Sequence, residues 1–174
     1  APLIFRIMNV NWEKVKELVG DQWEPYLKGF FDSPQAIEIY KTLIESKEQI
    51  VPLGKDMWNF LKYTDPNNIK MVVMGLDAYP GQYKKGLYHA TGIPFDCSNS
   101  PLGKPQPSLV SFWEGLEEDL DQSLVHSLDL KFLLAQGVFM ANYGITCKLY
   151  KTGSMLSIWD PFWKYFFEEF LNPY

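Results

Sequence analysis

The chain is poor in cysteine and histidine and has no long apolar run, and each shortage closes off a class of protein. Cys97 and Cys147 are the only two cysteines in 174 residues. They lie far apart and form no Cys-x-x-Cys pair, so a disulfide scaffold is excluded and a reduced, intracellular protein is expected. The only two histidines, His89 and His126, have no metal-ligand spacing, and no metal is expected. No apolar stretch approaches the length of a membrane span. The opening segment Ala1–Val10 holds Arg6 and lacks the apolar core of a signal peptide. There is no Walker loop and no Gly-x-Gly-x-x-Gly, so no nucleotide cofactor is indicated. Positive charge is also short: 16 Lys and Arg face 21 Asp and Glu, for a net charge of −5. Taken alone, that balance argues against a nucleic-acid partner.

What is present points to a globular α/β chain. At 47% hydrophobic and 16% aromatic it has the material for one full core, and residues 1–174 read as a single domain. Asn11 precedes Trp12, Val15, Leu18 and Val19, which share a helical face. Ser33-Pro34 opens a helix that turns Ala36, Tyr40, Leu43 and Ile44 inward. A third helix holds Met57, Trp58 and Leu61, and Thr64 to Asn68 forms a turn. Ser108 caps a helix with Leu109, Phe112, Trp113, Leu116 and Leu120 on its apolar side. Asp129 caps another that Gly137 ends, and Asp160-Pro161 opens a last helix rich in phenylalanine. Two apolar runs, Lys70–Met74 and Val138–Asn142, read as buried parallel strands joined by crossover helices.

The chemistry gathers at the ends of those two strands. Gly75-Leu76-Asp77-Ala78-Tyr79-Pro80-Gly81 reads as a tight turn that follows the first run with one carboxylate, one ring and two glycines. In open α/β sheets ligands bind at the strands' carboxyl ends. Phe95 follows in Gly92-Ile93-Pro94-Phe95-Asp96, and Asn142 closes the second run. A carboxylate, two aromatic rings and an amide can hold a flat heterocycle beside a water. Each residue also has an ordinary reading: an Asp capping a turn, an Asn ending a strand, a Phe in the core.

Taken in order, these motifs resemble the uracil-DNA glycosylases of the uracil-N-glycosylase type. The water-activating loop of that family is Gly-Gln-Asp-Pro-Tyr-His-Gly, against Gly75–Gly81 here. Its Gly-Leu-Cys-Phe-Ser segment is similar to Gly92–Asp96. Its Pro-rich loop is similar to Lys104-Pro105-Gln106-Pro107-Ser108-Leu109, and its Gln-Gly-Val-Leu-Leu-Leu-Asn strand to Gln136–Asn142. Trp23-Glu24-Pro25-Tyr26 and Trp58-Asn59-Phe60 also fit, so the likeness runs from about residue 20 onward.

The resemblance implies a parallel central sheet with helices on both faces, its last two strands and a closing His-Pro-Ser segment expected beyond Tyr174. It implies hydrolysis of the N-glycosidic bond of a uracil flipped out of single- or double-stranded DNA, without a cofactor. Asp77 would orient the water and stabilise the sugar cation. Leu76 would offer backbone N–H, Tyr79 would exclude the thymine methyl, Phe95 would stack on the base, and Asn142 would read uracil against cytosine. Pro105, Pro107, Ser108 and Ser154 would meet the DNA backbone, with Lys84, Lys85, Lys104, Lys148 and Lys151 as a local basic rim. Two departures predict a weaker enzyme: Ala78 stands where the family has Pro, and Met155 where it has a phosphate-gripping His. Several segments, among them Thr146-Cys147-Lys148-Leu149, also look similar to the divergent poxviral glycosylases, which double as polymerase processivity subunits. A weakly active or inactive DNA-binding subunit, with a protein partner in a replication or transcription complex, is therefore the alternative.

Overall fold

A computed structural model of the chain describes residues 10–173. Its centre is a parallel pair of seven-residue strands, β2 (Met71–Asp77) and β5 (Val138–Gly144). Met71 pairs with Val138, Gly75 with Asn142, and Asp77 with Gly144. Both strands outrun the apolar runs seen in the sequence. In particular β2 carries on through Asp77, so the strand itself presents the carboxylate and the irregular path begins only at Ala78. Two short antiparallel pairs flank the centre: β1 (Ile50–Val51) with β6 (Cys147–Lys148), and the hairpin β3 (Gln82–Lys84) with β4 (Leu87–Tyr88).

Side chains alternate across a strand, so the pair has two faces. On one, Phe139 and Ala141 pack into a cluster built by α1 (Trp12–Val19), α2 (Glu24–Phe31), α3 (Pro34–Glu45), α4 (Asn59–Lys62) and α7 (Asp160–Tyr165). On the other, Met140, Val73 and Val138 meet α5 (Pro107–Leu120) and α6 (Lys131–Ala135). Helices thus cover both faces of β5.

The first cluster is largely aromatic. Trp23, Trp58, Trp159, Trp163, Phe31, Phe60, Phe139, Phe162 and Phe166 are all essentially sealed from solvent. Large rings bring much apolar area, and an indole N–H in such a place requires an acceptor. Trp23 donates to the Leu61 carbonyl at 2.8 Å, Trp163 to the Tyr143 carbonyl at 2.7 Å, and Trp58 to the Tyr40 hydroxyl at 2.9 Å. Burial, only partly offset by that last bond, pushes the Tyr40 hydroxyl up to about 12.

Several local expectations change in the structure. Ser33 precedes α3 but does not cap it; its hydroxyl donates backward to the Phe30 carbonyl, one of the orphan acceptors ending α2. Ile39 is the second fully buried side chain of α3, while Ile44 points outward at 38% exposure. Ser108 lies inside α5 rather than at its cap, and its hydroxyl is used elsewhere. The largest correction concerns β2. It is a parallel strand but not a buried one: Met71 is 56%, Val72 41%, Met74 37% and Leu76 65% exposed. Its only neighbour among the described residues is β5, so one edge and part of one face lie open. Asn11 caps α1, accepting from Lys14 N at 3.2 Å, whereas the capping position of α6 falls to Leu130 rather than Asp129, whose carboxylate accepts from Lys131 N at 3.0 Å from one residue further out.

Candidate active site

The two long strands exchange a functional side chain for a glycine. Asn142 stands opposite Gly75, and Asp77 stands opposite Gly144. A Cβ placed on Gly75 would lie 2.2 Å from Asn142 Oδ1, and one on Gly144 would lie 2.4 Å from Asp77 Oδ1. No side chain fits at either distance, so each glycine opens the space that the opposing polar group occupies. Parallel pairing with this register therefore brings a carboxylate and an amide to the same end of the sheet.

A cavity of about 280 Å³ opens there. Leu76, Asp77, Tyr79, Phe95, Ser108 and Asn142 all line it. Pro105, Pro107 and Ser154 do not. The two prolines lie exposed at the mouth of α5. The Ser154 hydroxyl accepts from Lys148 N at 2.9 Å, and Ser154 is exposed. Met155, in the place where a polar phosphate contact is absent, is buried with its sulfur against the Thr146 hydroxyl.

Asp77 is held in place by main-chain donors. One carboxylate oxygen accepts from Gly153 N at 2.5 Å and the other from Ala78 N at 3.1 Å. Burial raises its pKa above the usual aspartate value, and the two N–H bonds pull it partly back. Nearby, burial and then the Asp77 charge push the Cys147 thiol up to about 12. That sulfur is fully buried and donates to the Ala78 carbonyl, so it supports the loop rather than reacting.

The opposite wall is aromatic. Phe95 adopts a left-handed backbone, φ +64°, which a bulky residue rarely takes. Its ring stacks on Phe112 of α5, centroids 5.3 Å apart and planes 16° apart. Phe112 thus backs one face of Phe95. The Tyr79 hydroxyl makes a 2.6 Å hydrogen bond with the Ser108 hydroxyl and a 3.4 Å bond to the Phe95 carbonyl. Burial is the main reason its pKa is raised, and the phenol stays protonated. Strand end, aromatic wall and Pro-rich segment are therefore tied together through one phenol. The Asn142 amide makes no hydrogen bond to protein among the described residues, and is free to pair with a ligand.

Met57, Phe60, Thr91, Ile145 and Thr152 also line the cavity. Phe60 belongs to the Trp58-Asn59-Phe60 segment that the sequence already marks, but the other four carry no local signal, because long-range packing alone brings them there; nor does anything in the sequence mark the Gly153 N–H as Asp77's partner. The lysine rim is only partly available. Lys148 and Lys151 both pair with Glu48, Lys148 at 3.0 Å, whereas Lys84, Lys85 and Lys104 make no ion pair among the described residues. His89 lies outside the cavity, its ring against Tyr83 at 4.3 Å. Among the described residues no group of His, Cys, Asp and Glu is placed to hold a metal ion, and no helix is long and apolar enough to cross a membrane.

No protein-family model matches the chain. The chain is 30% identical over 138 residues to the uracil-DNA glycosylase of Bacillus licheniformis, covering 77% of this chain and 57% of that protein. It is 30% identical over 132 residues to a probable uracil-DNA glycosylase of Acanthamoeba polyphaga mimivirus, covering 74% and 35%. A solved structure of mimivirus UNG, a variant in complex with UGI, superposes with a TM-score of 0.79 at 25% identity, covering 98% of this chain and 63% of the other. The chain thus spans little more than half the length of the Bacillus protein. In sequence and in fold, the chain is a homologue of proteins named as uracil-DNA glycosylases.

Proposed function

We propose that the chain excises uracil from DNA. The observation that carries this reading is the convergence of Asp77, Tyr79, Phe95 and Asn142 on one cavity at the carboxyl ends of β2 and β5. The base lies inside the helix of duplex DNA and must be flipped into the cavity before any chemistry. There Phe95 stacks on its face. The Asn142 carbonyl accepts from uracil N3–H while its NH₂ donates to O4; cytosine presents the opposite pattern and is refused. Main-chain N–H at Leu76–Asp77 meets O2, and Tyr79 fills the space where thymine carries a methyl group.

In the reaction the C1′–N1 bond breaks and C1′ takes hydroxide from water. The base leaves with the electron pair and ends protonated as free uracil; the abasic sugar remains in the strand. Positive charge builds on the sugar and negative charge on the base, so the site must stabilise both. The ionised Asp77 carboxylate faces the sugar and orients the water. Pro105, Pro107, Ser108 and Ser154 engage the flanking phosphates, and Lys84, Lys85 and Lys104 add positive charge. DNA is the partner in this reading. An intracellular setting accords with two cysteines that are both buried and free.

The test is single-turnover release of uracil from an oligonucleotide, with alkaline strand cleavage marking abasic sites. Excision by the wild-type chain that is lost in Asp77→Asn supports the assignment. If the folded chain binds the oligonucleotide and leaves it intact, excision is overturned. The glycosylase-fold binding subunit, with a protein partner in a replication or transcription complex, then takes its place.

A further inference from the structure

Tyr79 and Phe95, the two rings assigned to the base in the candidate active site, are both held from one helix. Ser108 and Phe112 stand four residues apart on α5, and at that spacing two side chains share a face. The Ser108 hydroxyl makes the 2.6 Å hydrogen bond with the Tyr79 phenol, and the Phe112 ring lies against Phe95 with the planes 16° apart. Ser108 reaches the cavity, whereas Phe112 does not line it and supports Phe95 from outside. The helix itself is fixed to the sheet. Leu109 and Trp113, its two buried residues, belong to the same cluster as Met140 of β5, two positions before Asn142.

Neither ring is placed by its own segment alone. Phe95 has a left-handed backbone, φ +64°, a conformation that persists in a bulky residue only where its surroundings impose it. Phe112 is its only ring partner among the described residues. Tyr79 follows the irregular turn that begins at Ala78, after β2 has ended. Besides the Ser108 bond, its hydroxyl reaches the Phe95 carbonyl at 3.4 Å, which is long. A phenol that donates to Ser108 Oγ leaves the serine's own proton free, so this bond is compatible with a phosphate contact at the same hydroxyl.

From this arrangement we propose that Ser108 and Phe112 are positioning residues that set the cavity's discrimination against a substituent at C5 of a pyrimidine. The inference rests on the reading of the cavity as a uracil pocket. Phe112 stops Phe95 from yielding toward α5, and Ser108 holds the Tyr79 phenol where a C5 methyl group would go. A base with hydrogen at C5 fits between rings so fixed, whereas a methyl group requires one of them to move. Close-packed surroundings resist that movement, and a ring that has lost its support gives way. A stacked ring pair or a single hydrogen bond is worth about two- to tenfold in an equilibrium, so each residue accounts for a discrimination of that size.

The experiment follows backbone amide resonances of the full chain during titration with free uracil and with free thymine, and compares the ratio of the two affinities between proteins. The wild-type chain is expected to favour uracil. Phe112→Leu and Ser108→Ala are each expected to shrink that preference about two- to tenfold. Tyr79→Phe, which removes the same hydrogen bond from its other end, is expected to match Ser108→Ala. Phe112→Tyr keeps the ring and Ser108→Thr keeps the hydroxyl, so both should retain the preference. Ser111→Ala, at an exposed position of α5, controls for a general effect on the helix. Phe112 is only half-buried, so its Leu variant is expected to fold. A residue that serves only as packing lowers thermal stability and both affinities together, and leaves their ratio alone. An unchanged ratio in Phe112→Leu removes Phe112 from this role; an unchanged ratio in Ser108→Ala and Tyr79→Phe removes Ser108; both results together overturn the inference. A wild-type chain with no preference for uracil up to about 10 mM overturns it equally. None of these results decides uracil excision, which release of the base from an oligonucleotide tests separately.

Discussion

Asp77 carries the chemistry of the proposed reaction, and its surroundings fix how it responds to pH. Burial raises its pKa, so the folded chain holds that proton more tightly than the unfolded chain does. The linkage sign follows. Protonated Asp77 favours the fold, and this contribution is lost as pH rises from the ordinary aspartate value through the raised one. Catalysis runs the other way, because only the ionised carboxylate orients water and faces a cation. The rate of excision is therefore expected to fall on the acid side at a pH above the ordinary aspartate range. Asp77→Asn should lower the rate by about 10²–10⁴ and abolish that limb. A single-turnover pH profile of both proteins checks it; an acid limb that persists in the variant would assign it to another group. Asn142 is the counterpart for recognition. Asn142→Asp loses the donor to uracil O4 and gains an acceptor for the cytosine amine, a change of about 1–3 kcal/mol in preference. Excision measured side by side on uracil and cytosine oligonucleotides should show the uracil preference shrink. Unchanged preference would remove Asn142 from base reading.

The strands explain why those two residues meet, and they separate what a sequence discloses from what it withholds. That Lys70–Met74 and Val138–Asn142 are parallel strands was legible, because two β-rich apolar runs separated by helical patterns allow little else. The exchange of Gly75 for Asn142 and Gly144 for Asp77 was not, since it depends on a register that no local pattern specifies. It is open to test. Gly144→Ala would drive a methyl into the Asp77 carboxylate, and Gly75→Ala into the Asn142 amide. Each variant is expected to lose excision while remaining folded; in Gly75→Ala, base preference should fall with the rate. Retention of full activity by both would show that neither side chain needs its present position. The exposure of β2 escapes the sequence for a related reason: apolar residues mark a strand that can be covered, not one that is. Met71, Val72, Met74 and Leu76 instead leave an apolar edge of the kind through which strands pair between molecules. Val72→Lys with Met74→Lys should reduce light scattering by concentrated protein without altering excision. Undiminished scattering would place self-association elsewhere.

At the scale of the whole molecule the difficulty is charge. A chain of net charge −5 must attract a polyanion, and total charge steers it away. The sequence shows five loop lysines beside the motifs but not which of them are already spoken for. In the structure Glu48 binds both Lys148 and Lys151, and its carboxylate is held well into the ionised range, chiefly by hydrogen bonds from those two ammoniums. The acid thus neutralises part of the rim that the excision reading needs, which leaves Lys84, Lys85 and Lys104 to meet phosphate unassisted. Glu48→Gln removes one negative charge and releases two positive ones, at a partly exposed surface ion pair of the kind that contributes little to stability. Each additional lysine that displaces a counterion from DNA steepens the dependence of log affinity on log salt by about 0.7–0.9. The variant is accordingly expected to bind a labelled oligonucleotide more tightly at low salt, with a slope steeper by up to about 1.8 on duplex and 1.4 on a single strand. Lys104→Gln should do the reverse, flattening the slope by about 0.7–0.9. Fluorescence anisotropy across a salt series measures both. If Glu48→Gln leaves affinity and slope where they were, Lys148 and Lys151 do not face the phosphates, and Lys84, Lys85 and Lys104 are left to meet them alone.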